Sequence, residues 1–179
     1  MGTTTTLLTV QEFLALPEIE GDRLELIGGE IVSMPMSGYP HEVTKSNLIR
    51  LLTAWSLQNP ALRVFCEAAY QLTERNCLIP DISLIASGRL VPGTTGVFQS
   101  APEVAIEVVS SEPAARLERK IKLYLAHGGK SVWAIYPAER MVRIEDASGG
   151  LRKFLEGQPL VDPNLPGFSV STSAIFEGV

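Results

Sequence analysis

Two short apolar runs each carry one carboxylate: Ile79-Pro80-Asp81-Ile82-Ser83-Leu84-Ile85 and Val104-Ala105-Ile106-Glu107-Val108-Val109. Runs this dense in Val, Ile and Leu read as buried strands. An acid inside such a run costs free energy unless it is paired, hydrogen-bonded or bound to a metal. Two acids in neighbouring runs point to one shared polar site, and paired carboxylates suit a hard divalent cation. Side chains alternate along a strand, so Asp81 shares a face with Ser83 and Ile85, and Glu107 with Ala105 and Val109. The small neighbours leave room beside Glu107. Two plainer readings stand beside this one: Asp81 as an acid that starts a strand after a proline, and Glu107 as a salt-bridged structural acid.

Lys120 is the third candidate. On a predicted helix over 114–127, Leu117, Ile121 and Tyr124 make the apolar stripe, and Lys120 flanks it. A lysine there either snorkels to solvent or reaches a site. Arg119 and Lys122 project from the opposite face, and with Arg116 they read either as phosphate contacts or as a solvated helix face. His41 falls on the inward stripe of an earlier helix, near its start, as a packed residue or a functional one. His127 sits at a helix C-terminus, where a cation is favourable. No Gly-rich phosphate loop, serine nucleophile elbow or zinc-type Cys/His spacing is present.

The elements that must position these residues follow from periodicity. A short helix spans Val10 to Leu16. Arg23–Ile27 and Glu30–Met34 flank Gly28-Gly29 and read as a tight β-hairpin. A two-residue turn pairs Glu25 with Val32 and Ile27 with Glu30, which sets Glu25 and Glu30 on one face. Pro40 opens a helix that runs from His41 to Leu57, with His41, Leu48, Leu52 and Trp55 inward. Arg63–Leu72 and Ile79–Ile85 read as strands, Ser87–Gln99 as a loop and Pro102–Ser110 as the central strand. The helix Ala114–His127 stops at Gly128-Gly129, and strands follow at Lys130–Tyr136 and Met141–Asp146. From Gly149 the pattern reads as irregular. The order predicts an α/β (α+β mixed) fold, a mixed sheet flanked by helices with an N-terminal β-hairpin, in one domain over residues 1–179.

Hydrophobic residues make up 45% of the 179, enough for a sizeable core and too many for a disordered chain. No apolar run approaches the roughly 18 residues of a membrane span. Gly2 and Thr6 fit a loose myristoylation pattern, read here as a frayed tail. Cys66 and Cys77 read as reduced and structural, and the chain as cytoplasmic. A net charge of −5 argues against bulk affinity for nucleic acid but leaves room for a local basic groove.

The ordered set of segments resembles the PD-(D/E)XK nuclease superfamily, and within it the Uma-two type of restriction-endonuclease-like protein. The segments are Leu24-Glu25-Leu26-Ile27-Gly28-Gly29-Glu30-Ile31-Val32, His41, Pro80-Asp81-Ile82-Ser83-Leu84-Ile85, Pro102 to Ser110, Lys120-Ile121-Lys122-Leu123-Tyr124-Leu125, Val132 to Pro137, and Leu165-Pro166-Gly167-Phe168. The resemblance implies a restriction-endonuclease-like core with Asp81 and Glu107 as ligands of Mg²⁺, or Mn²⁺ in its place. Glu25 or Glu30 would add an acid, with Glu30 preferred. The superfamily's usual lysine position, two residues after the Glu, is Val109 here, and Lys120 on the following helix takes its place. His41 would help position the substrate.

The implied activity is metal-dependent endonucleolytic hydrolysis of DNA phosphodiester bonds, with DNA as substrate, no membrane partner and a homodimeric assembly. Two rivals stand beside it. One is a catalytically silent nuclease-fold module that binds nucleic acid or a partner protein. The other is a hydrolase of a small phosphate compound.

Overall fold

The computed structural model describes residues 7–17, 23–34 and 36–179. Gly2 and Thr6 therefore lie outside the described residues. The first helix, α1 (Val10–Leu14), opens on a reciprocal cap between Thr9 and Glu12. Strands β1 (Arg23–Ile27) and β2 (Glu30–Met34) form the expected hairpin, in the expected register of Glu25 opposite Val32 and Ile27 opposite Glu30. Gly28 and Gly29 take φ of +65° and +86°, the mirror-image turn that matches strand twist.

Helix α2 (Tyr39–Ser56) has Pro40 in its first turn, and β3 (Leu62–Cys66) follows it. The segment expected as one strand over Arg63–Leu72 is two strands in two different sheets. Glu67 adopts φ +51°, and the chain leaves β3 there to form β4 (Tyr70–Thr73). The run Ile79–Ile85 is likewise divided. β5 (Asn76–Leu78) ends before Pro80, which has no N–H for a ladder, and β6 (Ile82–Ala86) begins after Asp81. The loop after β6 holds a 3₁₀ turn at Ser87–Arg89 and a two-residue strand, β7 (Phe98–Gln99).

β8 (Val104–Val108), α3 (Ala114–Ala126) and β9 (Ser131–Tyr136) make the expected strand–helix–strand unit, with β8 and β9 parallel. β10 (Met141–Asp146) and β11 (Leu151–Leu155) extend the sheet by antiparallel pairing. The tail expected to be irregular is ordered: β11, β12 (Pro159–Val161), β13 (Ser169–Ser171) and α4 (Thr172–Ile175) all lie beyond Gly149. Its Leu165, Phe168, Ile175 and Phe176 are buried in the main core.

The main sheet runs β11-β10-β9-β8-β6-β3, and a second runs β2-β1-β5-β4-β7. One face of the main sheet packs Ile82, Leu84, Val104, Ile106 and Trp133 against Leu48 and Leu52 of α2 and the C-terminal segment. The other packs Ile85, Ala105, Val132 and Ala134 against Leu117, Ile121 and Tyr124 of α3, together with Ile27 and Leu78 of the second sheet. Each such aliphatic side chain, fully buried, contributes roughly 1.5–3 kcal/mol. β8 is buried on both faces, so Glu107 enters the layer beneath α3 while its neighbours Ile106 and Val108 enter the layer beneath α2.

Candidate metal and phosphate site

β6 and β8 pair antiparallel, with Ile82 opposite Ile106. Extending that register by one residue sets Asp81 opposite Glu107, at the end of both strands. Both carboxylates are almost fully buried. They share the wall of a small cavity, about 20 Å³, with Arg23, His41, Ser110 and Glu112. That volume holds one water molecule or one small cation.

Glu107 sits in the dry half of the site. Its Oε1 lies 2.8 Å from Lys120 Nζ and accepts a hydrogen bond from the Tyr124 hydroxyl at 2.9 Å. Lys120 is completely buried, and its Nζ is also 3.1 Å from Glu25 Oε1. The ammonium is close enough to pair with both acids, yet off the direction of a regular hydrogen bond to either. Glu25 Oε1 accepts from the Ile79 N–H at 2.7 Å, while its Oε2 has no partner among the described residues. Burial raises the Glu107 carboxyl, Lys120 opposes that rise, and Glu25 and Asp81 add to it; the balance is upward, to about 8. Burial alone would lower Lys120, but Glu107 and Glu25 hold it above its ordinary value, so it stays protonated.

Asp81 sits in the ion-paired half. Its Oδ2 accepts from the Val108 N–H at 2.8 Å and lies 3.3 Å from His41 Nε2; its Oδ1 accepts from Arg23 at 3.1 Å. Burial would raise this carboxyl, but His41, the Val108 N–H and Arg23 together hold it down at about 2. The network continues outward. Arg23 donates to Glu67 at 3.0 Å, Lys45 donates to Glu67 and Glu42, and His41 Nδ1 lies 3.2 Å from Glu42.

The candidate residues thus separate plainly. Asp81, Glu107, Lys120 and His41 come together. Glu30 does not: it is exposed at the turn end of β2, and Glu25 is the hairpin acid that enters the site. Pleating explains the exchange, because both acids share a face but only Glu25 is deep enough along β1 to lie under α3. Val109 packs in the apolar layer, and Lys122 and Arg119 are exposed. His127 is the helix cap expected, with Nδ1 2.8 Å from the Leu123 carbonyl. Cys77 is a buried thiol that burial and the Glu25 charge push up to about 11, as befits a structural cysteine.

Sequence reasoning missed Arg23, Tyr124 and Glu112 as members of the site. Tyr124 lies four residues after Lys120 on the inward face, a spacing that places both over the same strand position. Arg23 lies two residues before Glu25 and so shares its face. Glu112 follows β8 in the turn before α3, where no pattern singles it out.

Among the described residues, no three of His, Cys, Asp and Glu converge as a ready-made metal cage. The donor set nevertheless fits a hard cation. Glu25, Asp81, Glu107 and Glu112, all ionised, would outnumber Lys120 and Arg23 by two charges, and Glu25 Oε2 and Glu112 Oε1 are buried without partners among the described residues. Mg²⁺ is commonly held by one or two carboxylates and several waters rather than by a full protein cage.

None of the curated proteins matches this chain. A solved structure described as "a putative nuclease belonging to DUF820", from Anabaena variabilis ATCC 29413, superposes with a TM-score of 0.85 at 25% identity. The superposition covers 95% of this chain and 98% of that one. The nuclease-like mixed α/β fold expected from the sequence is therefore the observed one. The model of the Uma2 family, described as "Putative restriction endonuclease", matches residues 10–173, nearly the whole chain, and the protein belongs to that family.

Proposed function

We propose that the protein is a metal-dependent endonuclease that hydrolyses DNA phosphodiester bonds, with Asp81 and Glu107 holding Mg²⁺, or Mn²⁺ in its place. The observation that carries this reading is the placement of Asp81 opposite Glu107 on one cavity wall, with Lys120 locked behind Glu107. When bound, a divalent cation supplies Lewis-acid chemistry, neutralising charge that grows on the phosphoryl group and acidifying water. The chain's own residues prepare the carboxylates. Lys120 and Tyr124 both engage Oε1 of Glu107, which fixes the plane of the carboxylate and leaves Oε2 without a described hydrogen bond. The Lys120 charge favours the ionised form that a cation needs. His41 and the Val108 N–H orient Asp81. Lys120 and His41 act here as positioning residues. The assembly is proposed as a homodimer, to be checked by light scattering.

The test is conversion of supercoiled plasmid to nicked and linear forms with Mg²⁺ or Mn²⁺. Cleavage should disappear with chelator and fall at least about a hundredfold in Asp81→Asn and Glu107→Gln, a loss of a few kcal/mol of transition-state stabilisation. Cleavage unchanged in either variant would contradict the assignment.

One observation favours a second reading, a silent nuclease-fold module that binds nucleic acid or a partner. Both oxygens of Asp81 are already engaged by the protein itself. On that reading the wild type neither cleaves nor binds Mn²⁺.

A further inference from the structure

Lys120, the lysine that stands in place of the superfamily's usual one, is completely enclosed by its own protein. Its Nζ is within 3.1 Å of two carboxylates, and it does not line the cavity. Among the described residues that do, Arg23 is the one lysine or arginine. Its side chain is 24% exposed, and two of its five N–H donors are engaged by carboxylates among the described residues. It bridges Asp81 Oδ1 and Glu67 Oε1, and Glu67 is itself shared with Lys45.

Resting on the nuclease reading, we infer that Arg23, not Lys120, is the residue that binds the phosphate of the nucleic acid backbone at this site. A guanidinium presents a rigid fork of donors that matches two phosphate oxygens, whereas an enclosed ammonium cannot reach one. The bridge to Asp81 makes the contact conditional. While Asp81 lacks another cation, its charge keeps Arg23; once that charge is neutralised, donors of the guanidinium are released toward the cavity mouth. Lys120 keeps the separate role of holding Glu107.

The experiment is binding of a short fluorescent DNA duplex, followed by anisotropy over a range of salt concentrations, with Ca²⁺ in place of Mg²⁺. The proteins are wild type, Arg23→Gln and Arg23→Lys, each checked for folding by thermal melting. Arg23→Gln should weaken binding about tenfold or more, the worth of one charge-assisted hydrogen-bonded contact. It should also reduce the slope of log affinity against log salt by about one, the signature of one lost phosphate contact. Arg23→Lys should restore the salt slope while regaining only part of the affinity. A merely structural arginine would not move the slope, so an unchanged slope in Arg23→Gln overturns the inference. No binding by the wild type overturns it as well. Arg23-dependent binding without any Mn²⁺-supported cleavage supports the inference and removes the nuclease reading. Wild-type cleavage with Arg23→Gln unaffected in KM and salt slope does the reverse.

Discussion

Asp81 and Glu107 face each other across paired strands, yet the protein treats them oppositely. Asp81 is surrounded by donors: Arg23, the His41 ring and the Val108 N–H hold it ionised, down at about 2. Glu107 is buried beneath α3 with Glu25 and Asp81 nearby, and burial and those charges push it up to about 8 despite Lys120. The difference comes from which layer each half borders. Asp81 stands in the gap between the N-terminal end of α2 and the start of β1, where a charged network leads to solvent. Glu107 lies beneath α3, where Lys120 must serve Glu25 as well. One carboxylate is ready for a cation at any ordinary pH, and the other must release a proton to accept one.

The most severe way to break this contrast is Lys120→Met. It leaves Glu25 buried without a counter-charge and removes the charge that opposes the rise of Glu107, and removal of one partner of a buried ion pair costs roughly 3–5 kcal/mol. Denaturant unfolding should show that loss, and Lys120→Met combined with Glu107→Gln should recover part of it.

A pH series sharpens the contrast. Folding raises Glu107 from its ordinary 4.5 to about 8, so the folded state holds this proton more tightly than the unfolded chain. Its stabilisation is complete below about pH 4.5 and is lost as pH rises toward 8. Asp81 behaves in the opposite sense: lowered from 3.8 to about 2, it stabilises above pH 3.8 and loses that contribution as pH falls toward 2. Thermal melts without divalent metal should therefore fall between pH 5 and 8, and Glu107→Gln should flatten that decline. A melt that does not change over this range in the wild type would remove the account of Glu107.

Tyr124→Phe deletes one donor to Glu107 and keeps the ring. A loss of about 1–2 kcal/mol by denaturant unfolding is expected, with weakened metal binding. The smallest effect belongs to Glu30→Gln. Glu30 is an exposed residue outside the site, so stability should stay within about 0.5 kcal/mol and Mn²⁺ affinity should not change.

Much of this was legible in the residues themselves. The hairpin register and the strand–helix–strand unit follow from strict periodicities and a Gly-Gly turn, whereas periodicity sets Lys120 at the border of the inward face and leaves open whether it snorkels or reaches the site. Other features follow from context that periodicity does not carry. Glu67 at φ +51° sends one apolar run into two sheets, and nothing in the run Arg63–Leu72 marks the break. The segment beyond Gly149 is broken by Gly and Pro and carries no sustained period, yet it contributes Leu165, Phe168 and Phe176 to the main core through contacts with distant strands. Glu25 and Glu30 are alike on one hairpin face, and only the packing of α3 above β1 separates them. Arg23 and Glu112 join the site by tertiary approach alone.

Mn²⁺ titration by calorimetry tests the central claim most directly, because it needs no knowledge of the substrate. The wild type should show one saturable site, with proton release that grows as pH falls below about 8 as Glu107 gives up its proton. Asp81→Asn and Glu107→Gln, both folded, should each abolish that site. No binding up to millimolar Mn²⁺, or binding that survives both substitutions, would contradict the claim that these two carboxylates jointly hold a divalent cation.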